Sequence, residues 1–380
     1  MPIKFNYHKQ RTMRIALIIG IGIHGLIHLL GFFKAFGLSE ISPISQPISK
    51  THGLIWLLTS LLFVSTSILI LIRDEYWWLS GFLALIISQI LIIIYWFDAK
   101  FGTLANVIIS VAIIIGYSRV NFRNTINSER KTLFENLNRQ PPKIIDEEVL
   151  IGLPIIIQKW LANSGILGKQ TISNVYLAQE LKLKMKPEQS DWYSGRAEQY
   201  FTIEPPAFNW SVQMEISPAL NVAGRDRFED GKGEMIIKLL SLIPVAKAKN
   251  DQKVNQATLQ RYMAEIVWFP SAALSQYITW EPIDDFSARA TMEYKGTKGS
   301  GDFHFDSDGN FKKFVAMRYK DANAIKPVEW SVIATKTEEQ NGIKIPVECE
   351  ASWELENGKW TWLTLKITDL RYNLKDMPLD

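Results

Sequence analysis

The sequence predicts an α + β chain in two unlike parts: an N-terminal four-helix transmembrane bundle, then a large, curved antiparallel β-sheet domain, half-barrel-like, with one or two packed helices. Two observations carry this reading. Four long apolar runs fill the first third of the chain, and beyond Thr171 apolar residues alternate with polar ones between hairpin dipeptides.

The apolar runs cover residues 15–38, 53–72, 76–97 and 101–117. Each is long enough to cross a hydrocarbon core of about 30 Å as a helix. Lipid offers no partner to backbone amides, so each run must bond within itself. Lys4, Lys9, Arg11 and Arg14 precede the first run as they would in a signal peptide. That run is too long for a leader, and His24 and His28 interrupt it, so it reads as a retained first span.

Lys and Arg near the span ends are unequally shared. One side carries Lys4, Lys9, Arg11, Arg14, Arg73, Arg119, Arg123, Arg130 and Lys131, the other only Lys50 and Lys100, with Lys34 close to the end of the first span. By the positive-inside rule both termini and the β domain face the cytoplasm, from a plasma (inner) membrane. Tyr76, Trp77 and Trp78 at one end of the third span, and Tyr95 and Trp96 at its other end, sit where interfacial aromatic belts form.

Within the spans, His24 and His28 share one helix face about 6 Å apart along the axis. Counting rises places His28, Gln89 and Asn106 at similar depth, with His24 on one side of them and His52 and Asp98 on the other. Intramembrane polar groups are candidate functional sites, and the alternative is interhelical hydrogen bonding. Haem would need axial ligands on opposite faces, which one histidine pair on one helix face does not supply; no carboxylate is embedded beside the pair to complete a metal site.

The chain has 380 residues and a net charge of +3, which leaves a remainder large enough to bury its own core. No basic stripe suits nucleic acid. The one cysteine, Cys349, excludes an intramolecular disulfide and a multi-cysteine metal site. No cofactor is implied.

The predicted layout is a bundle over 1–120, a juxtamembrane linker or short amphipathic continuation of the last span over 121–145, and a β-rich domain over 146–380. Asp146 caps a helix over 146–163 that Pro154 bends or breaks. A second helix, near 255–268, carries Leu259, Tyr262, Met263, Ile266 and Val267 on its apolar face and stops at Pro270. Turn signals at Asp230-Gly231, Asp308-Gly309, Asn341-Gly342 and Asn357-Gly358 divide the rest into roughly ten strands. The longest strand runs are 233–247 and a broken one over 278–295. Sequential hairpins give an antiparallel sheet, a sheet of this size curls, and the second helix fits its concave side.

The β-rich part resembles a bacterial, membrane-associated family of unknown function. The resemblance rests on Trp192, Gln199 and Tyr200, Pro205-Pro206-Ala207-Phe208 with Trp210, and Asp226 and Phe228. It continues through Gly231-Lys232-Gly233-Glu234-Met235, Arg261-Tyr262-Met263-Ala264-Glu265, Trp268-Phe269-Pro270 and Trp280-Glu281-Pro282-Ile283-Asp284, then Arg318-Tyr319, Trp330 and Pro346. It implies a β-rich domain behind a multi-span N-terminus, and no activity.

Trp192, Trp210, Trp268, Trp280, Trp330, Trp353, Trp360 and Trp362 make the second part heavy in large rings, which either fill a core or line an apolar pocket. Arg261 and Glu265 stand four apart on the second helix, as an ion pair would. Arg261, Glu265, Trp268, Trp280, Asp284, Arg318 and Trp330 are the candidate ligand-binding residues. On this reading the protein binds an apolar or lipid-like ligand, or a protein partner, beside the bilayer. The alternative is a membrane-tethered enzyme acting on a lipid or lipid-linked substrate, with Glu265 and Asp284 as acid and base and His304 as proton shuttle. No nucleophile elbow, glycine-rich phosphate loop or His-Glu metal motif accompanies those three. A third reading places a cofactor or small-molecule site in the bundle around His28.

Overall fold

The computed structural model describes residues 2–42, 44–137, 141–217, 220–249 and 251–377. The chain divides into two compact units, one built on Met1–Asn124 and the other on Thr125–Ile216, Asn221–Leu239 and Ile243–Asp380.

The first unit contains helices α1 (Pro2–Ala35), α2 (Lys50–Leu71), α3 (Trp77–Ile94), the short α4 (Trp96–Ala99) and the start of α5 (Gly102–Glu135). Four of these are long and apolar enough to cross a membrane: Arg11–Ala35, Lys50–Leu71, Trp77–Ile94 and Gly102–Glu135. Their polarity is arranged for an apolar solvent. Ile19, Ile23, Leu58, Ile90 and Ile108 face outward, whereas His24, His28, Thr59, Ser88 and Asn106 are buried between helices. Small residues allow the close approach: a Cβ on Gly31 would collide with the Trp56 ring, and one on Gly25 with Phe63.

Of the expected linker, the stretch to Glu135 continues α5, with Ile126, Leu133 and Phe134 buried at helical spacing; residues 138–140 lie outside the described residues. The second unit then opens with a 3-10 turn at Glu148–Leu150, where Asp146 accepts the Val149 N–H at 3.3 Å. Pro154 separates this turn from α6 (Ile155–Asn163), so the break at proline is complete.

Thirteen strands follow: β1 (Asn174–Leu183), β2 (Tyr193–Thr202), β3 (Ala207–Ser217), β4 (Leu220–Glu229), β5 (Lys232–Leu239), β6 (Ile243–Lys249), β7 (Ile278–Asp284), β8 (Ser287–Tyr294), β9 (Thr297–Phe305), β10 (Phe311–Arg318), β11 (Val328–Gln340), β12 (Ile343–Leu355) and β13 (Gly358–Tyr372). They form one sheet in the order β6-β5-β4-β3-β2-β1-β13-β12-β11-β10-β9-β8-β7, in which β13 closes antiparallel onto β1 and every other neighbour is sequential. Two of the strands beyond the roughly ten expected arise because the runs over 233–247 and 278–295 each form two strands. The run over 233–247 turns at Leu240 and Ser241, both at positive φ, with no glycine, asparagine or aspartate at the turn itself to announce it.

Helix α7 (Gln252–Glu265) is capped by Asp251, whose side chain accepts from the Lys253 and Val254 N–H groups, so it starts earlier than its apolar pattern indicated. It passes into 3-10 turns at Ile266–Trp268 and Pro270–Leu274. The helix packs on β5 and also on β8, β9 and β10, strands far apart in the sheet order, so the sheet curls around it. At one end the curl brings two hairpin turns together. Lys295 pairs with Asp230, Thr297 Oγ1 donates to the Gly231 carbonyl at 2.6 Å, and the Phe228 and Tyr294 rings meet. Among the described residues the edge strands β6 and β7 do not pair with one another, and the sheet remains an open half-barrel.

The outer face of β2–β5 receives the end of α5. Arg130 donates to Glu198 at 2.9 Å and to Ser211 at 2.6 Å and lies over the Tyr200 ring. Glu129 pairs with Arg225 at 3.2 Å, and Arg225 and Arg227 both pair with Glu234, at 3.1 and 2.9 Å. Burial alone would raise the Glu234 carboxyl, but the two guanidiniums outweigh it and hold the group at about 2 against an ordinary 4.5.

A group whose folded value is depressed stabilises the fold above its unfolded value and loses that contribution as pH falls through the folded one. The stability difference between the wild type and Glu234→Gln, followed by urea unfolding of the micelle-bound chain, should therefore be full at pH 7, shrink below about pH 4.5 and vanish near pH 2. A difference that does not change with pH would contradict the assignment.

Candidate functional site

The inside of the half-barrel holds two apolar clusters with a polar layer between them. The larger draws on α6, α7, both 3-10 turns and most strands, and includes Trp160, Phe201, Phe208, Phe228, Tyr262, Trp268, Phe269, Phe303 and Phe314. The smaller is made of strand residues alone: Leu181, Leu183, Ala197, Val212, Met214 and Val222, with half-buried Ile216, Ile237, Leu239, Trp362 and Leu363 at its margin. Trp210 borders both. Among the described residues no helix contributes to the second cluster.

Helix α7 separates them because it is two-sided. Leu259, Tyr262, Met263 and Ile266 are buried in the larger cluster, and Arg261 and Glu265, one turn apart, project elsewhere. Arg261 Nε donates to Glu265 at 2.9 Å and Nη1 donates to Asp226 of β4 at 2.6 Å. Its guanidinium lies 5.1 Å from the Phe208 ring centre and 4.7 Å from that of Trp210. Gln199 Nε2 donates to the second Glu265 oxygen at 2.8 Å. Burial alone would lower Arg261, but Glu265 and Asp226 raise it; burial pushes the Glu265 carboxyl up in spite of Arg261 and Gln199.

Arg318, at the end of β10, faces the same layer without such partners. Its guanidinium stacks 4.5 Å from the Trp330 ring and 5.9 Å from that of Trp353. It makes no ion pair with a described residue, and its Nε is buried without an acceptor. Burial, reinforced by the nearby Arg261 charge, lowers it to about 10. Trp330, Trp353 and Trp360 stand in register on β11, β12 and β13, so that three indoles form a row beside it.

Arg261, Glu265, Arg318 and Trp330 therefore come together, joined by Asp226 and Gln199. The other candidates stand apart. Trp268 is in the larger core, its indole donating to the Pro346 carbonyl at 3.0 Å. Trp280 packs on Trp160 and Phe303 and donates to the Ala273 carbonyl at 2.9 Å. Asp284 is exposed at the β7–β8 turn, where the Phe286 N–H, then Ser287, hold its carboxyl below the usual range. His304 lies in register with Ser287 and Lys313, on the wing of the sheet away from β2, whose Gln199 bonds to Glu265, and from β4, whose Asp226 bonds to Arg261. The acid, base and shuttle of the enzymatic reading are not in one place. A cleft of about 270 Å³ opens between β10 and β11, lined by Lys312, Thr335, Lys336, Thr337 and Lys344 among others, and includes none of the candidates.

In the bundle, the pairing differs from that given by counting rises. His24 Nε2, not His28, is bonded to Asn106 Oδ1 at 3.0 Å, and His28 Nε2 is bonded to Ser88 Oγ at 3.0 Å. Asn106 Nδ2 donates to Ser88 and to Gln89 Oε1, each at 3.0 Å. His28 Nδ1 faces the His24 carbonyl at 2.9 Å, which can only accept, so that nitrogen carries the proton and Nε2 accepts from the Ser88 hydroxyl. His52 pairs separately with the Tyr95 hydroxyl at 2.7 Å. Among the described residues no group of three or more His, Cys, Asp or Glu is placed to hold a metal ion.

A model of a family of unknown function, DUF6920, matches residues 151–372. No curated protein matches the chain. Among solved structures, a DUF1329 family protein from Desulfovibrio piger is 9% identical with a TM-score of 0.33, over 55% of this chain and 88% of that one. A LolA superfamily protein from Nitrosomonas europaea is 12% identical with a TM-score of 0.28, over 59% and 93%. A beta-barrel-like DUF1849 protein from Brucella abortus is 9% identical with a TM-score of 0.25, over 53% and 99%.

Replacing Arg261 by Met would leave the half-buried Asp226 and Glu265 without their shared cation, which should cost about 3 kcal/mol, the low end for a buried pair. Arg261→Lys should recover only part of this, because an ammonium cannot both stack on two rings and fork between two carboxylates. Chemical unfolding of the three proteins checks both; equal stability would remove the ion pair from any structural role.

Proposed function

We propose, for a chain that belongs to the DUF6920 family of unknown function, that its β unit binds an apolar, lipid-like ligand in the half-barrel while its helices hold it at a membrane. The observation that carries the reading is the second apolar cluster. Helices α6 and α7 fill the larger cluster with their side chains; among the described residues this one is built by strands alone, its six central side chains buried and its margin half-buried. The cleft between β10 and β11 lies elsewhere, so an entering chain makes its room by spreading marginal side chains such as Leu239 and Leu363. The enzymatic reading is weakened by the separation of Glu265 from Asp284 and His304. The bundle network supports a holding role, since both His28 nitrogens and the Asn106 amide are partnered from within.

The test is native mass spectrometry of the full chain after incubation with a membrane lipid extract. The wild type should carry an apolar adduct, and Leu239→Glu, which places a charge at the margin of the cluster, should lower occupancy at least tenfold. A bare wild-type mass after loading would sink the proposal.

The excess of Lys and Arg at one set of span ends supports a cytoplasmic β unit in an inner membrane. In intact cells, a cysteine introduced at exposed Lys320 should resist a membrane-impermeant maleimide and react only after lysis; labelling before lysis would reverse the orientation.

A further inference from the structure

The wall of the half-barrel beside the second apolar cluster has hydrogen-bond donors to spare. Arg318 Nε is buried without an acceptor, and so are the indole N–H groups of Trp330, Trp360 and Trp362. Buried donors normally find partners, and leaving one unmet costs about 1–3 kcal/mol. Elsewhere inside the half-barrel this is observed: the indoles of Trp210, Trp268 and Trp280 all donate, to Gln179, Pro346 and Ala273. Unmet donors thus gather on one wall.

The two arginines of the polar layer divide the roles. Arg261 is saturated by Asp226 and Glu265, whereas the Arg318 guanidinium lies over the Trp330 ring, with Trp353 beyond, and makes no ion pair with a described residue. Stacking fixes a guanidinium in its plane and leaves its forked N–H groups directed at whatever lies beside it, the geometry that suits carboxylate and phosphate oxygens. Trp362 is at once a margin residue of the apolar cluster and one of the unmet donors, so the wall and the cluster are continuous.

We infer that Arg318, with the Trp330, Trp360 and Trp362 N–H groups, binds the oxyanion headgroup of an amphipathic ligand, a carboxylate or a phosphate, while the ligand's apolar chain lies in the neighbouring cluster. The inference rests on the apolar-ligand reading above and adds the class of headgroup. Asp226 and Glu265 are the carboxylates within electrostatic reach of Arg318, and both are hydrogen-bonded to Arg261.

The experiment uses the full chain in nanodiscs of neutral lipid and three photoactivatable probes of one chain length, a fatty acid, an alkyl phosphate and the alcohol, with labelled peptides mapped by mass spectrometry. The acid or the phosphate, or both, should label the β13 peptide holding Trp360 and Trp362 about 10- to 100-fold more than the alcohol; which of them does so distinguishes a carboxylate from a phosphate source. Arg318→Met should bring anion labelling down to the level of the alcohol, and Trp362→Phe, which keeps a ring and removes the donor, should reduce it about threefold. The thermal midpoint of Arg318→Met should match or exceed that of the wild type, because the variant removes a half-buried cation that makes no ion pair with a described residue, so loss of labelling is separable from misfolding. Equal labelling by all three probes, unchanged in Arg318→Met, would overturn the headgroup inference and leave the apolar reading standing. Labelling confined to the helices of the first unit would remove both.

Discussion

Between two carboxylates and two aromatic rings, the guanidinium of Arg261 makes it physically acceptable for a helix with one polar side to lie inside a β-sheet. An unpaired charge there would cost several kcal/mol, and a helix apolar all round would have drawn the remaining strands onto itself. With the pair in place α7 fills part of the interior and leaves the rest. The curl of the sheet, the second cluster and the unmet donors near Arg318 all follow from a helix that occupies only part of the concave face.

The two units distribute polar and apolar side chains in opposite ways. In the first, Leu and Ile face outward and the polar side chains bond to one another, with the hydrogen bonds of His24, His28, Ser88 and Asn106 running between helices. In the second, the rings are inside and charge is outside, except for one layer. Helix α5 serves both: its apolar first half belongs to the bundle, and beyond Thr125 it turns amphipathic and fastens through Glu129 and Arg130 to the outer face of the sheet.

Several elements were legible from sequence because they depend on short-range periodicity. The spans, the break at Pro154, the hairpins at Asp230-Gly231 and Asn341-Gly342 and the apolar face of α7 are each set by residues within a few positions of one another. The turn at Leu240-Ser241 was not legible, since neither residue favours positive φ and the strands on either side impose it. Ser88 in the bundle was missed for a related reason: counting rises compares depths along helices but does not say which faces meet.

By itself the sequence determined the two-part layout, the antiparallel hairpin order and the pairing of Arg261 with Glu265 one helical turn away, because each is a local consequence of residue type and spacing. Tertiary structure alone decided that Asp226 and Gln199 join that pair, that Trp330, Trp353 and Trp360 fall in one row, and that Asp284 and His304 lie elsewhere. Those outcomes depend on strand register and on where a long sheet curls, and both are fixed by contacts between residues far apart in the chain, which leave no periodic trace in the sequence.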